Sequence, residues 1–323
     1  MRLPARSIAA LAAGVIAVAA IEDPPLSKPA PVTGGGPVKL ARAGESKCNE
    51  CHASIVEEWA WTAHALAWQD EVYQEELKGR KKAEACHGCH IPAPLHGGDL
   101  GTKPEPRKDD LHFGISCESC HAAPDGALLG PTGAPTDKHA TRKSDSMSGA
   151  GTTALCASCH RTTVGPVIGI AKDFEQSAAA KAGKTCVGCH MAALKSVPFE
   201  GGTREVRSHE IQTPRDPSFL ARAFAFALAE SGGKTVLRVE NRAGHRVPGL
   251  IGREIAFEVR AFDASGKELA KERLIFDSSS YLAVDEPVAL ELGVRAAKVR
   301  ITGEHTDTRS EKPIRFVERE IAP

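Results

Sequence analysis

The chain has 323 residues, 41% of them hydrophobic, with 41 basic against 41 acidic side chains and a formal net charge of zero. That balance leaves no cationic excess to neutralise phosphates, which argues against nucleic acid as a partner. The length allows two domains, and ten cysteines in such a chain need an account of their own.

From the N-terminus, Arg2 and Arg6 precede an apolar run over residues 8–21, with Val18-Ala19-Ala20 suited to signal-peptidase cleavage. The run falls short of the roughly 20 residues a spanning helix needs. Residues 1–20 therefore read as a secretory signal, and the mature chain is expected in the periplasm or secreted, with no membrane span. Residues 21–45, rich in Pro and Gly, read as a flexible leader.

Residues 46–213 contain every cysteine, arranged as five Cys-x-x-Cys-His units: Cys48, Cys51 and His52; Cys86, Cys89 and His90; Cys117, Cys120 and His121; Cys156, Cys159 and His160; Cys186, Cys189 and His190. Two thiols in this spacing suit two thioether bonds to a porphyrin, and the adjoining His offers an axial nitrogen to iron, which is the pattern of c-type haem attachment. A disulfide framework has no use for a His after every second Cys, and zinc ribbons do not require one. Five covalent haem c groups are thus expected. Successive motifs begin 38, 31, 39 and 30 residues apart, too close for separate domains, so the haems must pack closely in one core. Residues 54–77 carry spaced apolar side chains and read as one helix stopping near Gly79. Residues 91–106 and 124–135 hold too much Pro and Gly for regular elements.

From residue 214 the pattern turns to alternation. Candidate strands cover 235–240, 255–262, 269–276, 288–292, 297–301 and 314–317, while 219–229 reads either as strand or as helix. The expected fold class is α+β: a short-helix and loop multihaem domain at 46–213, then a small β-sandwich-like domain at 214–323.

Low-spin electron-transfer haem needs a second strong axial ligand. Beyond the five motif histidines there are eight more. His64 sits on the expected helix, His112 just before the third motif, His139 after that motif's loop, His209 past the last motif, and His245 in a turn between strands. These five complete a bis-His set. His96 is a substitute for His112, His87 lies inside the second motif, and His305, among polar residues, reads as surface. Met is the other common axial ligand. Met191 adjoins His190, and Met147 in a Gly/Ser loop is a weak candidate.

The segment Cys48-Asn49-Glu50-Cys51-His52, followed by Trp59, Thr62 and His64-Ala65, resembles the opening of the tetrahaem cytochrome family that accepts electrons from hydroxylamine oxidoreductase. Gly114-Ile115-Ser116-Cys117-Glu118-Ser119-Cys120-His121 with the later His139 is similar to another segment of that family. The resemblance implies that His64 and His139 are distal ligands. His190-Met191 with His209 downstream resembles a pattern of multihaem cytochromes in which the later His binds iron. Gly244-His245-Arg246-Val247-Pro248-Gly249 resembles a segment of their β-domains, which implies that His245 reaches a haem. The chain departs from the tetrahaem pattern in having five motifs, and in Ala122-Ala123-Pro124 where the family has Gly-Pro-Gly.

The function expected is electron transfer between redox proteins, a donor and an acceptor, with self-assembly into a filament as a further possibility. A catalytic multihaem oxidoreductase acting on a small nitrogen or sulfur compound at one open haem is the alternative. The multihaem nitrite reductases carry a Lys-terminated motif, which this chain lacks. The hydroxylamine-oxidising enzymes place a Tyr near the catalytic haem, whereas the only tyrosines here, Tyr73 and Tyr281, are expected near no motif.

Overall fold

A computed structural model describes residues 47–164, 168–192, 194–199, 202–308 and 312–322; the signal segment and leader lie outside the described residues. Helices and sheets are both present, as in an α+β chain. Two compact units form. One holds the cysteine-rich part up to Gln212; the other takes everything from Thr213 onward together with Lys172–Ala179, a segment lying between the fourth and fifth motifs.

The cysteine-rich unit consists of short elements. Helices α1 (Asn49–Ala60), α2 (Glu71–Lys78), α3 (Glu84–His90), α4 (Cys117–His121) and α5 (Gly151–His160) come first. The short strands β1 (Leu128–Gly130) and β2 (Thr141–Lys143) pair in parallel between α4 and α5. In chain order come α6 (Ile170–Gln176), which falls mostly in the other unit, and α7 (Ala178–Lys181), which is divided between the two, and then, back in the cysteine-rich unit, α8 (Cys186–His190) and an antiparallel hairpin of β3 (Leu194–Phe199) and β4 (Gly202–Arg207). Val56, Trp59 and Ala60 of α1 pack on Ala65 and Leu66, with Phe113 and Cys48 against them.

The single helix expected over 54–77 is two helices separated by turns. The reason lies in local side chains that compete with the helical backbone. The Thr62 hydroxyl donates to Trp59 O (2.7 Å) and accepts from Ala65 N (3.2 Å), closing the chain into a turn. Asp70 then starts a fresh helix by accepting from Tyr73 N at 2.8 Å, an ordinary N-cap. His64 falls in the turn between the two, off any helix.

The second unit opens with α9 (Pro217–Ala221), capped by Asp216, whose carboxylate accepts from Ser218 N and Phe219 N. Two antiparallel sheets follow. One has the order β11-β10-β7-β8 and the other β5-β6-β9, with β5 Phe224–Ser231, β6 Lys234–Asn241, β7 Glu254–Phe262, β8 Glu268–Phe276, β9 Val288–Glu291, β10 Lys298–Thr306 and β11 Ile314–Ile321. Their inward residues share one core: Phe224, Phe226, Leu237 and Val239 from one sheet, Ile255, Phe257, Val259, Val299 and Ile301 from the other. Phe257 meets Phe224 and Phe226 edge-on at 5.1 and 5.3 Å, a favoured aromatic geometry. Gly303 has to be glycine, because a Cβ there would lie 2.8 Å from Phe316 and 2.9 Å from Phe257.

The segment Lys172–Ala179 is held in this unit by charge and packing. Asp173 accepts from the Arg246 guanidinium (Nη2, 2.9 Å), and that cation holds its carboxyl below the usual range. Ala178 N donates to Asp285 at 2.8 Å. Arg246 also lies over the Tyr281 ring, 4.3 Å from its centre.

Candidate haem-binding site

Each Cys-x-x-Cys-His unit occupies a helical turn. That conformation brings residues three and four apart onto one side, so both thiols and the imidazole address one region of space. Helices α3, α4, α5 and α8 end on their motif histidines. In the first motif the helix continues to Ala60, but His52 leaves helical angles (φ −111°, ψ 30°). Ser116 and Thr185 cap the short helices of the third and fifth motifs. All ten cysteines are free of disulfides.

A backbone carbonyl can only accept, so an imidazole nitrogen bonded to one must carry the proton. The Nδ1–H of His90 donates to Ala67 O (2.7 Å), that of His121 to Leu129 O (2.8 Å), and that of His190 to Gln212 O (2.6 Å). This leaves the Nε2 lone pair of each ring as the metal-binding atom, the usual arrangement of a ligating histidine.

Three motif histidines face a second imidazole. The ring centroids of His52 and His139 are 6.5 Å apart, those of His64 and His160 6.2 Å, and those of His121 and His209 6.2 Å. Two metal–imidazole bonds of about 2 Å, plus the roughly 1.1 Å from each nitrogen to its ring centre, span about 6 Å. The facing rings thus fit an iron between them. Burial, first of all, pushes the proton affinity of four of these rings down. His64 falls to about 4, with His160 and His190 adding to the effect; His52, His160 and His209 also move down. Neutral imidazole is the form that binds metal.

Tertiary contacts set His64 and His209 in place. The carbonyl of His64 accepts from Ile115 N at 2.9 Å, while Trp59 Nε1 donates to Ile115 O at 2.9 Å. Gly114, at φ +55°, lies so close to this turn that a Cβ would come within 2.7 Å of Ala65 O. The Gly-Ile before the third motif therefore positions the imidazole opposite the fourth. His209 is fixed through Glu58 of α1, which accepts from His209 N (2.8 Å) and pairs with Lys195 of the hairpin (2.7 Å).

The remaining expected ligands are placed differently. His112 lies against Phe113, ring centroids 4.2 Å apart and planes tilted by 40°, and its Nε2 is buried without a hydrogen-bond partner, as is that of His96. Either atom is chemically ready for a ligand. His245 lies in the β-rich unit, its Nδ1–H donating to Arg246 O at 2.9 Å. Met147 packs beside Ala123, Ala127 and Leu129. His305 is not on the surface: it is 0% exposed, because on β10 it shares the inward parity of Val299, Ile301 and Gly303. Tyr73, contrary to the expectation that no tyrosine lies near a motif, stacks directly on the second motif's His90, centroids 3.6 Å apart and planes 6° from parallel. Only a tertiary contact between α2 and α3 places it there, and nothing local in the sequence signals it.

The thiols of different motifs also meet. Cys117 lies beside Cys48, Cys159 beside Cys89, and Cys156 beside Cys186; each neighbour pushes the first-named thiol above the ordinary range. Burial raises Cys120 to about 11, and Cys120 acts electrostatically on Cys156 and Cys159. These shifts belong to unmodified thiols; thioether formation would abolish them. Here they mark which motifs touch.

The family model described as "Cytochrome c554 and c-prime" matches residues 47–122, a stretch holding the first three motifs. The fold is similar to the crystal structure of a penta-heme cytochrome c552 from Thermochromatium tepidum, with a TM-score of 0.58 at 17% sequence identity, covering 89% of this chain and 100% of that chain. This is the fold of a multihaem cytochrome c. No curated protein sequence matches the chain. For a multihaem cytochrome the chemistry belongs largely to the cofactor, and the protein supplies spacing, axial ligands and insulation. Among the described residues no helix is long and apolar enough to cross a membrane.

Proposed function

We propose that this chain is an extracytoplasmic pentahaem c-type cytochrome that transfers electrons between redox partners. The observation that carries this reading is the set of three facing imidazole pairs, at 6.2 to 6.5 Å. Axial positions filled from both sides suit an iron that changes oxidation state without binding substrate. The ten motif cysteines would hold five haem c groups, with His52, His90, His121, His160 and His190 as proximal ligands. His139, His64 and His209 would be distal ligands of the first, fourth and third haems. His112 and His245 are proposed for the other two. Haem, once attached, supplies reversible one-electron chemistry at iron.

The thiol contacts support one order of neighbours. Motif one adjoins motif three through Cys48 and Cys117, and motif three adjoins motif four through Cys120. Motif four adjoins motif two through Cys159 and Cys89, and motif five through Cys156 and Cys186. Such a chain of contacts supports a branched relay centred on the fourth motif. The signal segment supports export, and the match over residues 47–122 supports kinship with the tetrahaem family named above.

A haem count by pyridine haemochrome, followed by titration of the oxidised protein with nitrite, hydroxylamine and carbon monoxide, tests the reading. Five haems per chain and unmoved spectra are expected. A large high-spin signal that shifts with these ligands would favour the catalytic alternative.

A further inference from the structure

We propose that Tyr73 sets the reduction potential of the haem at the second motif by presenting its ring face to the proximal imidazole of His90. This rests on haem being attached there. Tyr73 is 6% exposed, and its ring lies flat on His90 at 3.6 Å and 6°. The contact is held from both sides. The His90 ring is fixed by its Nδ1–H donating to Ala67 O at 2.7 Å, while the Tyr73 backbone is anchored by its N–H to the Asp70 cap at 2.8 Å and its ring is confined by burial. Trp68 lies beside the group, 6.0 Å from Tyr73 and 5.3 Å, edge-on, from His87 of the same motif.

The phenol hydroxyl does not explain the arrangement. It is buried with no hydrogen-bond partner, and a buried hydroxyl without one is a cost rather than a gain. The ring face is what His90 meets. An aromatic face carries the negative part of the ring quadrupole and attracts a neighbouring positive charge. An imidazole bound to ferric iron carries more positive charge than one bound to ferrous iron. The face of Tyr73 therefore favours the oxidised member of the one-electron couple and lowers its potential. Tyr73 acts through His90, so it is a positioning and tuning residue.

Three variants of the haem-loaded full-length protein test this by spectropotentiometric titration, with bound haem counted by mass spectrometry. Tyr73→Phe keeps the face and drops only the unpartnered hydroxyl, so all five midpoints should stay at their wild-type values. Tyr73→Leu removes the face, and one midpoint should rise while the others hold. Replacing Tyr73 with pentafluorophenylalanine keeps the shape but reverses the quadrupole, and should raise the same midpoint with no cavity to blame if the Leu variant fails to fold. A Tyr73→Phe shift matching that of Tyr73→Leu would overturn the proposal, as would unmoved midpoints in the fluorinated protein. A wild-type count of four haems, with the second motif empty, would instead remove the attachment on which the proposal rests.

Discussion

His64 and His160 face each other across 6.2 Å, one from a turn between two helices and the other from the end of α5. If an iron joins them, removing His64 exposes one axial position and no other. His64→Ala should turn one low-spin haem high-spin, and added imidazole should restore it. His139→Ala and His209→Ala should each do the same at a different haem, so a double variant should show the sum. Low-temperature electron paramagnetic resonance with spin quantitation reads this directly, and an unchanged spectrum removes that histidine from the ligand set.

Gly114 gives a test of the same site without touching a ligand. Alanine at φ +55° costs roughly 1–3 kcal/mol from the backbone alone, and its Cβ would press into the His64–Ala65 carbonyls. Gly114→Ala should therefore lower stability and raise the high-spin signal at the haem that His64→Ala affects. Gly126→Ala is the control. It too has a positive φ (82°), but nothing lies within 4 Å of its Cβ, so it should cost stability and leave the spin state alone.

Strands of the β-rich unit such as β7 and β8 are legible because apolar residues recur there with period two against charged neighbours. Thus the expected strand 255–262 is β7 Glu254–Phe262, and 269–276 is β8 Glu268–Phe276. The doubtful stretch 219–229 is both of its readings in turn, a short helix Pro217–Ala221 and then β5. The cysteine spacing carried the attachment motifs for a different reason, since that chemistry is written within five residues. What local sequence could not show was anything decided by long-range contact. The Thr62 turn and the Asp70 cap that split residues 54–77 looked like ordinary polar positions on one helix. The β3–β4 hairpin is held by Lys195 reaching Glu58, and the Tyr73–His90 stack joins two helices. His305 is buried although its sequence neighbours Glu304 and Thr306 are polar, because on a strand those two point away from the face it shares with Ile301.

His305 predicts an acid sensitivity. Burial, and then the nearby Arg253, pull its proton affinity from 6.5 down to about 4, and neither ring nitrogen has a hydrogen-bond partner. Below pH 6.5 the unfolded chain takes up a proton that the folded chain refuses until about pH 4. The stability this ring lends is thus full above pH 6.5 and lost as pH falls toward 4, by about 3 kcal/mol. His305→Leu should show a shallower loss between pH 7 and pH 4.5 in urea denaturation followed by circular dichroism. Equal slopes in the two proteins would exclude His305 as the source.

Asp173 and Arg246 predict how the segment between the fourth and fifth motifs is retained. Arg246 holds the Asp173 carboxyl below its ordinary range, so the pair is intact above that range and is lost as pH falls through the lowered value. Asp173→Ala should loosen Lys172–Ala179 and speed tryptic cleavage after Lys172 several-fold at pH 7.5. Unchanged cleavage would assign the retention to Phe174 and its packing against Gly244.

The axial pairing itself is tested most directly by near-infrared magnetic circular dichroism of the oxidised, fully haem-loaded protein, where the ligand-to-iron charge-transfer band reports axial ligands haem by haem. With His52–His139, His64–His160 and His121–His209 as axial pairs, at least three of the five haems should give the low-spin bis-histidine band. A spectrum in which fewer than three do so, with His–Met or high-spin bands in their place, would contradict it.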